Sequence, residues 1–224
     1  METGFKFAAI DIGSNAMRLL FCRVLQNSDS TKFIKESLIR MPLRMGEDAF
    51  TLGKISKDNS EKLVKTIQAF RLMIDAYDPI SYKACATSAL RTAKNGQDLV
   101  DQINLVTNLN LEIISGEKEA KIIMSNHIEN HLNPERDYLY IDVGGGSTEV
   151  SFIVKRVKAI SRSFPIGSVR LLKDQVTPLN WQEMESWVKG QMPKVSGSIK
   201  AIGSGGNINK IFSCLLYTSP SPRA

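Results

Sequence analysis

Cysteine is scarce in this chain, with three among 224 residues. Cys22, Cys85 and Cys214 are too few and too widely spaced for a disulfide framework or a paired-cysteine metal knuckle, and they read as small buried hydrophobes of a reducing compartment. Histidine is scarcer. His127 and His131 fall on the same stretch of an expected helix, but no third ligand accompanies them, so they read as a solvated helix end and not as a metal site. Nowhere do roughly 18 apolar residues run together, and the opening METGFKFAAID lacks a basic segment followed by a long apolar stretch. These absences exclude a membrane partner and predict a soluble, cytoplasmic protein. A basic cluster is also lacking: the formal charge of +6 is scattered along the chain, so no nucleic-acid partner is expected and the charge reads as a solvated surface.

What is present is an ordinary globular composition, 42% apolar, long enough for one large domain or two small ones. FKFAAIDIG (5–13) and MRLLFCRVL (17–25) read as a hairpin with a buried strand, and TKFIKESLIRM (31–41) as a third strand. Leu63, Ile67, Phe70 and Ile74 recur at helical spacing after Ser56, a candidate N-cap. SYKACATSA (81–89) reads as a strand that opens into a small-residue loop, QDLVDQINLVTNL (97–109) as a helix, LEIISG (111–116) as a strand and 117–132 as a helix with an acidic first turn. The charged turn NPERD (133–137) is the candidate boundary. Three strands follow (DYLYIDVG, STEVSFIV, VKAISRSF), then a turn shaped by Pro165 and Gly167 before a short helix, with approach to a long substrate as the other reading of Ser168 and Arg170. The helical QEMESWVKGQM comes next, with Trp181 and Trp187 expected on one face, and then SIKAIGSGGN. The tail from Cys214 onward changes character and reads as disordered or foreign sequence.

One device occurs twice. Aligning AAIDIGSNAMRLLF (8–21) with LYIDVGGGSTEVSF (139–152) superimposes Asp11 on Asp142 and Gly13 on Gly144, with matching apolar flanks. An Asp at a strand end can bind a hydrated cation, and glycine in the turn lets successive backbone N–H groups approach an anion with no Cβ in the way. A lone glycine triplet is more often a hairpin turn or a joint. Duplication of the acid-x-glycine core moves the reading toward a phosphate site.

Taken in order, DIGSNAMRLL, ATSALRTAKNG, ISGEKEA, DVGGGSTE and GSGGN resemble the exopolyphosphatase and guanosine pentaphosphate phosphohydrolase family of the actin, Hsp70 and sugar-kinase superfamily. The resemblance implies an α/β chain of two ribonuclease H-like lobes, each a mixed sheet flanked by helices, with the active site in the cleft between them. The first lobe is expected over 1–132, an incomplete second lobe over 133–213, and the tail over 214–224. The family's first phosphate loop falls on Gly13, Ser14 and Asn15, with Arg18 on the next strand, and the second on Gly144, Gly145, Gly146, Ser147 and Thr148. Its phosphate-facing arginine corresponds to Arg91 and its catalytic glutamate to Glu119. Asp11, Asp142 and Glu149 offer hard oxygen ligands, so Mg²⁺ is the expected metal.

The implied activity is hydrolysis of terminal phosphoanhydride bonds in inorganic polyphosphate, guanosine pentaphosphate, or both. It needs an in-line water, a carboxylate to deprotonate it, and positive or N–H groups for the equatorial oxygens. A homodimer is implied by family likeness alone. Singly, each residue has a plainer reading: Glu119 complements a helix dipole, Arg91 is an ion-pair partner, and Asp11 caps a turn. Three departures from the family pattern stand out: Ala16 in place of a hydroxyl residue, Lys118 beside the expected base, and Asn207 in the last glycine motif. Two other functions fit the motifs, a superfamily ATPase or small-molecule kinase and a binding module without turnover. The expected truncation of the second lobe predicts exposed apolar surface.

Overall fold

The computed structural model describes residues 4–26, 31–124, 132–133, 135–154, 158–192 and 199–218. The chain divides into two compact units, Met1–Ser115 and Gly116–Ala224.

In the first unit, strands β1 (Phe5–Ile12), β2 (Ala16–Gln26) and β3 (Thr31–Pro42) form an antiparallel meander. Strands β4 (Ser81–Ala86) and β5 (Leu111–Ile113) add in parallel on the other side of β1, giving the order β3-β2-β1-β4-β5. Period-two alternation places Ala8, Ile10 and Ile12 on one face, opposite Phe21, Leu19 and Met17 across the ladder, and all six are buried. The connections are helical: α1 (Met45–Thr51), α2 (Lys57–Tyr77), α3 (Ser88–Thr92) and α4 (Gly96–Thr107). The expected stripe of α2, Leu63, Ile67, Phe70 and Ile74, is buried, and Ser56 caps the helix by accepting from the Asn59 N–H.

Strand β4 stops at Ala86, where the small residues begin, and these form a short helix and not the expected loop. The Thr87 N–H donates to the Ile12 carbonyl at 3.0 Å, and the small residues that follow turn into α3.

The second unit begins with α5 (Gly116–Met124), followed by β6 (Asp137–Val143), β7 (Thr148–Val154), β8 (Lys158–Phe164), α6 (Ser168–Leu172), α7 (Pro178–Gln191), β9 (Ile199–Ser204) and α8 (Gly206–Thr218). Its sheet runs β8-β7-β6-β9, with β9 parallel to β6 and the rest antiparallel. Both sheets therefore have a three-stranded antiparallel meander with a parallel strand beside its first member.

Strand β7 is buried on both sides. Leu132, Tyr138, Tyr140 and Ile153 form one cluster with Ile123 of α5. Val150, Phe164 and Ile166 form another with Trp187 and Val188 of α7.

The units part between Ser115 and Gly116, ahead of the charged turn at 133–137, because α5 packs on β7 and β8. Trp187 lies against Phe152 and Phe164, whereas Trp181 is exposed. The two tryptophans do not share a face, since their spacing turns a helix through about 240°. Residues 214–218, expected as a disordered tail, continue α8, because apolar Leu215 follows Ile211 and Phe212 at helical spacing before the Ser-Pro stretch. All three of these side chains are exposed. His127, His131 and 219–224 lie outside the described residues. Among the described residues no helix is long and apolar enough to cross a membrane.

Candidate functional site

The two copies of the acid-x-glycine device fold alike. In the first, β1 carries Asp11 to the sheet end, and the Gly13 N–H closes the turn on the Ala16 carbonyl at 3.1 Å. In the second, β6 carries Asp142, and the Gly144 N–H closes on the Ser147 carbonyl at 2.9 Å. Position 16 thus serves through its backbone, which the family's hydroxyl residue and this chain's Ala16 supply equally.

The likeness extends to a layer behind each turn. The Gly46 N–H of α1 donates to the Ser14 carbonyl at 2.8 Å, and the Arg44 N–H to the Asn15 carbonyl at 3.2 Å. Correspondingly, the Ser168 N–H of α6 donates to Gly144 O at 3.1 Å and the Val169 N–H to Gly145 O at 2.8 Å. A side chain completes the set: Arg170 Nε donates to Gly146 O at 2.8 Å. Peptide groups are planar, and none here is cis. A carbonyl turned toward α6 therefore turns the next residue's N–H the opposite way, so the amides of Gly145, Gly146 and Ser147 point together away from α6. Successive N–H groups aimed to one side are an anion-binding arrangement.

Two hydroxyls of the loops are used inside the protein. Buried Ser14 Oγ shares a hydrogen bond with Ser88 Oγ at 2.8 Å, and buried Thr148 Oγ1 donates to the Ile166 carbonyl. Asn15 is exposed.

The acids differ between copies. Asp11 faces Arg18 across the ladder and pairs with it at 2.8 Å, half-exposed on both sides. At the matching position of the second copy Asp142 faces Glu149. Glu149 is buried and its Oε1 accepts from Ser163 Oγ at 2.7 Å. Two carboxylates directly opposite repel, and a cation between them relieves that cost. Among the described residues no cluster of three or more His, Cys, Asp or Glu gathers to cage a metal. A two-carboxylate set suits Mg²⁺, which keeps waters and takes substrate phosphates for the rest of its shell. The glycine turn after β9 borders this pair: a Cβ on Gly205 would come within 2.8 Å of Asp142 Oδ1. Asn207 Nδ2 donates to the Val143 carbonyl at 3.4 Å, tying α8 to the end of β6.

Arg91 lies in the last turn of α3, and its Nη1 donates to the Ile114 carbonyl at 2.6 Å. Glu119 occupies the first turn of α5, half-buried, between exposed Lys118 and buried Ala120. It belongs to the same compact unit as the second loop.

The layer formed by Gly46, Gly167 and Arg170 escapes the sequence comparison. Its trace is a Pro-apolar pair after the third strand of each copy, Pro42-Leu43 and Pro165-Ile166, whose apolar members are both buried.

Comparison with known proteins agrees with this architecture. The chain is 30% identical over 176 residues to exopolyphosphatase 1 of Mycobacterium tuberculosis, covering 75% of this chain and 48% of that protein. It is 31% identical over 176 residues to a bifunctional 3-dehydroquinate synthase/phosphatase of Fusobacterium nucleatum, covering 76% and 26%. The chain thus spans about half or less of the length of these curated relatives. Among solved structures, the Aquifex aeolicus member of the Ppx/GppA protein family matches with a TM-score of 0.70 and 24% identity, covering 98% of this chain and 72% of that one. An exopolyphosphatase from Cytophaga hutchinsonii gives 0.72 and 23%, covering 98% and 72%, which supports the fold. The model of the Ppx/GppA phosphatase family matches residues 31–217. With both glycine turns, the paired mixed sheets and this match in agreement, the chain belongs to the Ppx/GppA phosphatase family.

Proposed function

We propose that this protein hydrolyses terminal phosphoanhydride bonds and releases phosphate from inorganic polyphosphate. The observation that carries the reading is the second loop. Its three successive peptides are turned by α6 so that the N–H groups of Gly145, Gly146 and Ser147 face one way, beside a pair of opposed carboxylates. Such donors stabilise the equatorial oxygens of a transferring phosphoryl group without reorganising. In this reading Glu119 orients and deprotonates the attacking water, and Arg91 adds positive charge against the phosphate oxygens. Mg²⁺ held by Asp142 and Glu149 supplies further charge neutralisation. Asp11, already paired with Arg18, is less suited to the metal, and its arginine to phosphate, unless the pair opens. Guanosine pentaphosphate presents the same terminal anhydride, so it is the second substrate to test.

The deciding experiment is phosphate release from polyphosphate and from guanosine pentaphosphate, measured side by side with Mg²⁺ for the wild type and Glu119→Ala. Loss of about 10²-fold or more in kcat with substrate binding retained is expected for removal of a general base. Undiminished turnover in the variant removes the mechanism. Binding with no phosphate release by the wild type favours a binding module, and transfer to an added acceptor favours a kinase.

A further inference from the structure

We propose that Arg170, seated by Gly167, is a positioning residue that sets the phosphate affinity of the second loop by holding the Gly146–Ser147 peptide with its N–H outward. This rests on the phosphate-binding reading of that loop.

Three peptides of the loop are oriented from behind, and the means differ. The first two, which begin at Gly144 and Gly145, are held by backbone amides of α6. The third, which begins at Gly146, is held at 2.8 Å by the Nε of Arg170, a side chain. In the first loop the corresponding carbonyl, that of Asn15, is held by the backbone N–H of Arg44, a residue kept in the left-handed region at φ 32°. The second copy reaches the same orientation with a guanidinium, so a point mutation can release it while the backbone donors stay. Without that donor the Gly146 carbonyl is free to rotate, and rotation carries the Ser147 N–H away from the other two amides. Glycine at 145 and 146 leaves little steric resistance to that rotation.

Gly167 makes the approach feasible. A Cβ there would lie 2.4 Å from Gly145 O and 2.6 Å from the Gly146 carbonyl carbon, against backbone that has no flexible end to yield. The Nε of Arg170 therefore acts through the loop.

The test uses the full chain with Arg170→Met, which keeps the aliphatic stem, Arg170→Lys, which keeps a donor, and Gly167→Ala. Amide resonances of Gly144 to Ser147 are followed in the free protein and on adding inorganic tripolyphosphate without magnesium. KM and kcat for polyphosphate are then measured with Mg²⁺. For Arg170→Met the Ser147 amide moves in the free protein, tripolyphosphate binding weakens about tenfold, the equivalent of one lost hydrogen bond, and kcat/KM for polyphosphate falls by at least as much, since the same donor faces the transferring phosphoryl group. Arg170→Lys recovers part of the affinity. Gly167→Ala shifts all the loop amides, and if it fails to fold the two Arg170 variants decide.

Unchanged loop resonances and affinity in Arg170→Met overturn the proposal, as does a wild type whose loop amides ignore tripolyphosphate. A wild type that binds tripolyphosphate with those amides but releases no phosphate overturns the hydrolase reading and leaves the positioning role standing.

Discussion

Asp48 shows how one side chain reaches the site through two others. It lies in α1, and its Oδ2 accepts from the Ser56 N–H at 2.9 Å, Ser56 Oγ at 2.6 Å and Asn59 Nδ2 at 2.8 Å. Burial pushes its carboxyl up, but the hydrogen bonds from Ser56 and Asn59 outweigh that, and its pKa ends below the usual value. A depressed pKa in the folded state means stability that is fully present above the unfolded value, about 3.9, and lost as pH falls through the folded one. Asp48→Ala strands those donors and should cost about 1–3 kcal/mol at pH 7. Its melting temperature should also fall less steeply than the wild type's on acidification from pH 5 to 3. Because Gly46 of the same helix holds the Ser14 carbonyl, the loss should loosen the first loop as well. Parallel acid-melting curves for the two proteins would show that the carboxylate does not couple to folding.

At the scale of elements, whatever obeys a local period is legible in the sequence. The hairpin of β1 and β2 and the stripe of α2 with its Ser56 cap follow from spacing alone. What escapes depends on partners distant in sequence. Helix α5 joins the second unit because β7 and β8 cover it. The layer behind the glycine turns shares almost no letters between copies, since backbone amides do most of the work and any residue supplies one. The acid-x-glycine turns themselves are legible, because a tight turn at a strand end restricts residue type at each position. That Ser14 and Thr148 spend their hydroxyls on Ser88 and Ile166 is not readable, as it is settled by the tertiary fold. Gly96, at the start of α4, sets local and tertiary demands against each other. Replacing it with Ala raises helix propensity by about 1 kcal/mol. The new Cβ, however, would lie 1.9 Å from the Leu90 carbonyl oxygen, which forces the start of α4 off α3. Overpacking of this kind costs about 1–3 kcal/mol or more, so Gly96→Ala should lower the urea midpoint. A raised midpoint would mean that the helix start moves freely and that propensity decides.

The two units are unequally built. In the first, α2 and α4 both bury apolar stripes and pack side by side. In the second, α7 has no fully buried residue, and α8 leaves Ile211, Phe212 and Leu215 exposed, so its core rests on β7 and the two clusters beside it. Less apolar area withdrawn from water means less stability to offset the ordering of the chain. The second unit, which carries the loop proposed to bind phosphate, should therefore open first, and the molecule should not unfold in one step. Its own residues supply the reporter. Both tryptophans of the chain, Trp181 and Trp187, lie in this unit, and Trp187 packs against Phe152 and Phe164. Far-ultraviolet circular dichroism weighs the helices of both units. In a urea titration of the Trp181→Phe variant, Trp187 fluorescence should change at a lower midpoint than the circular dichroism, by about 0.5 M or more for a difference near 1 kcal/mol. Tripolyphosphate with Mg²⁺ should draw the fluorescence transition upward toward the other, since a ligand bound to the folded loop stabilises it by mass action. Coincident transitions without ligand would show that the units unfold as one, and that the exposed surface of α7 and α8 does not weaken the loop they accompany.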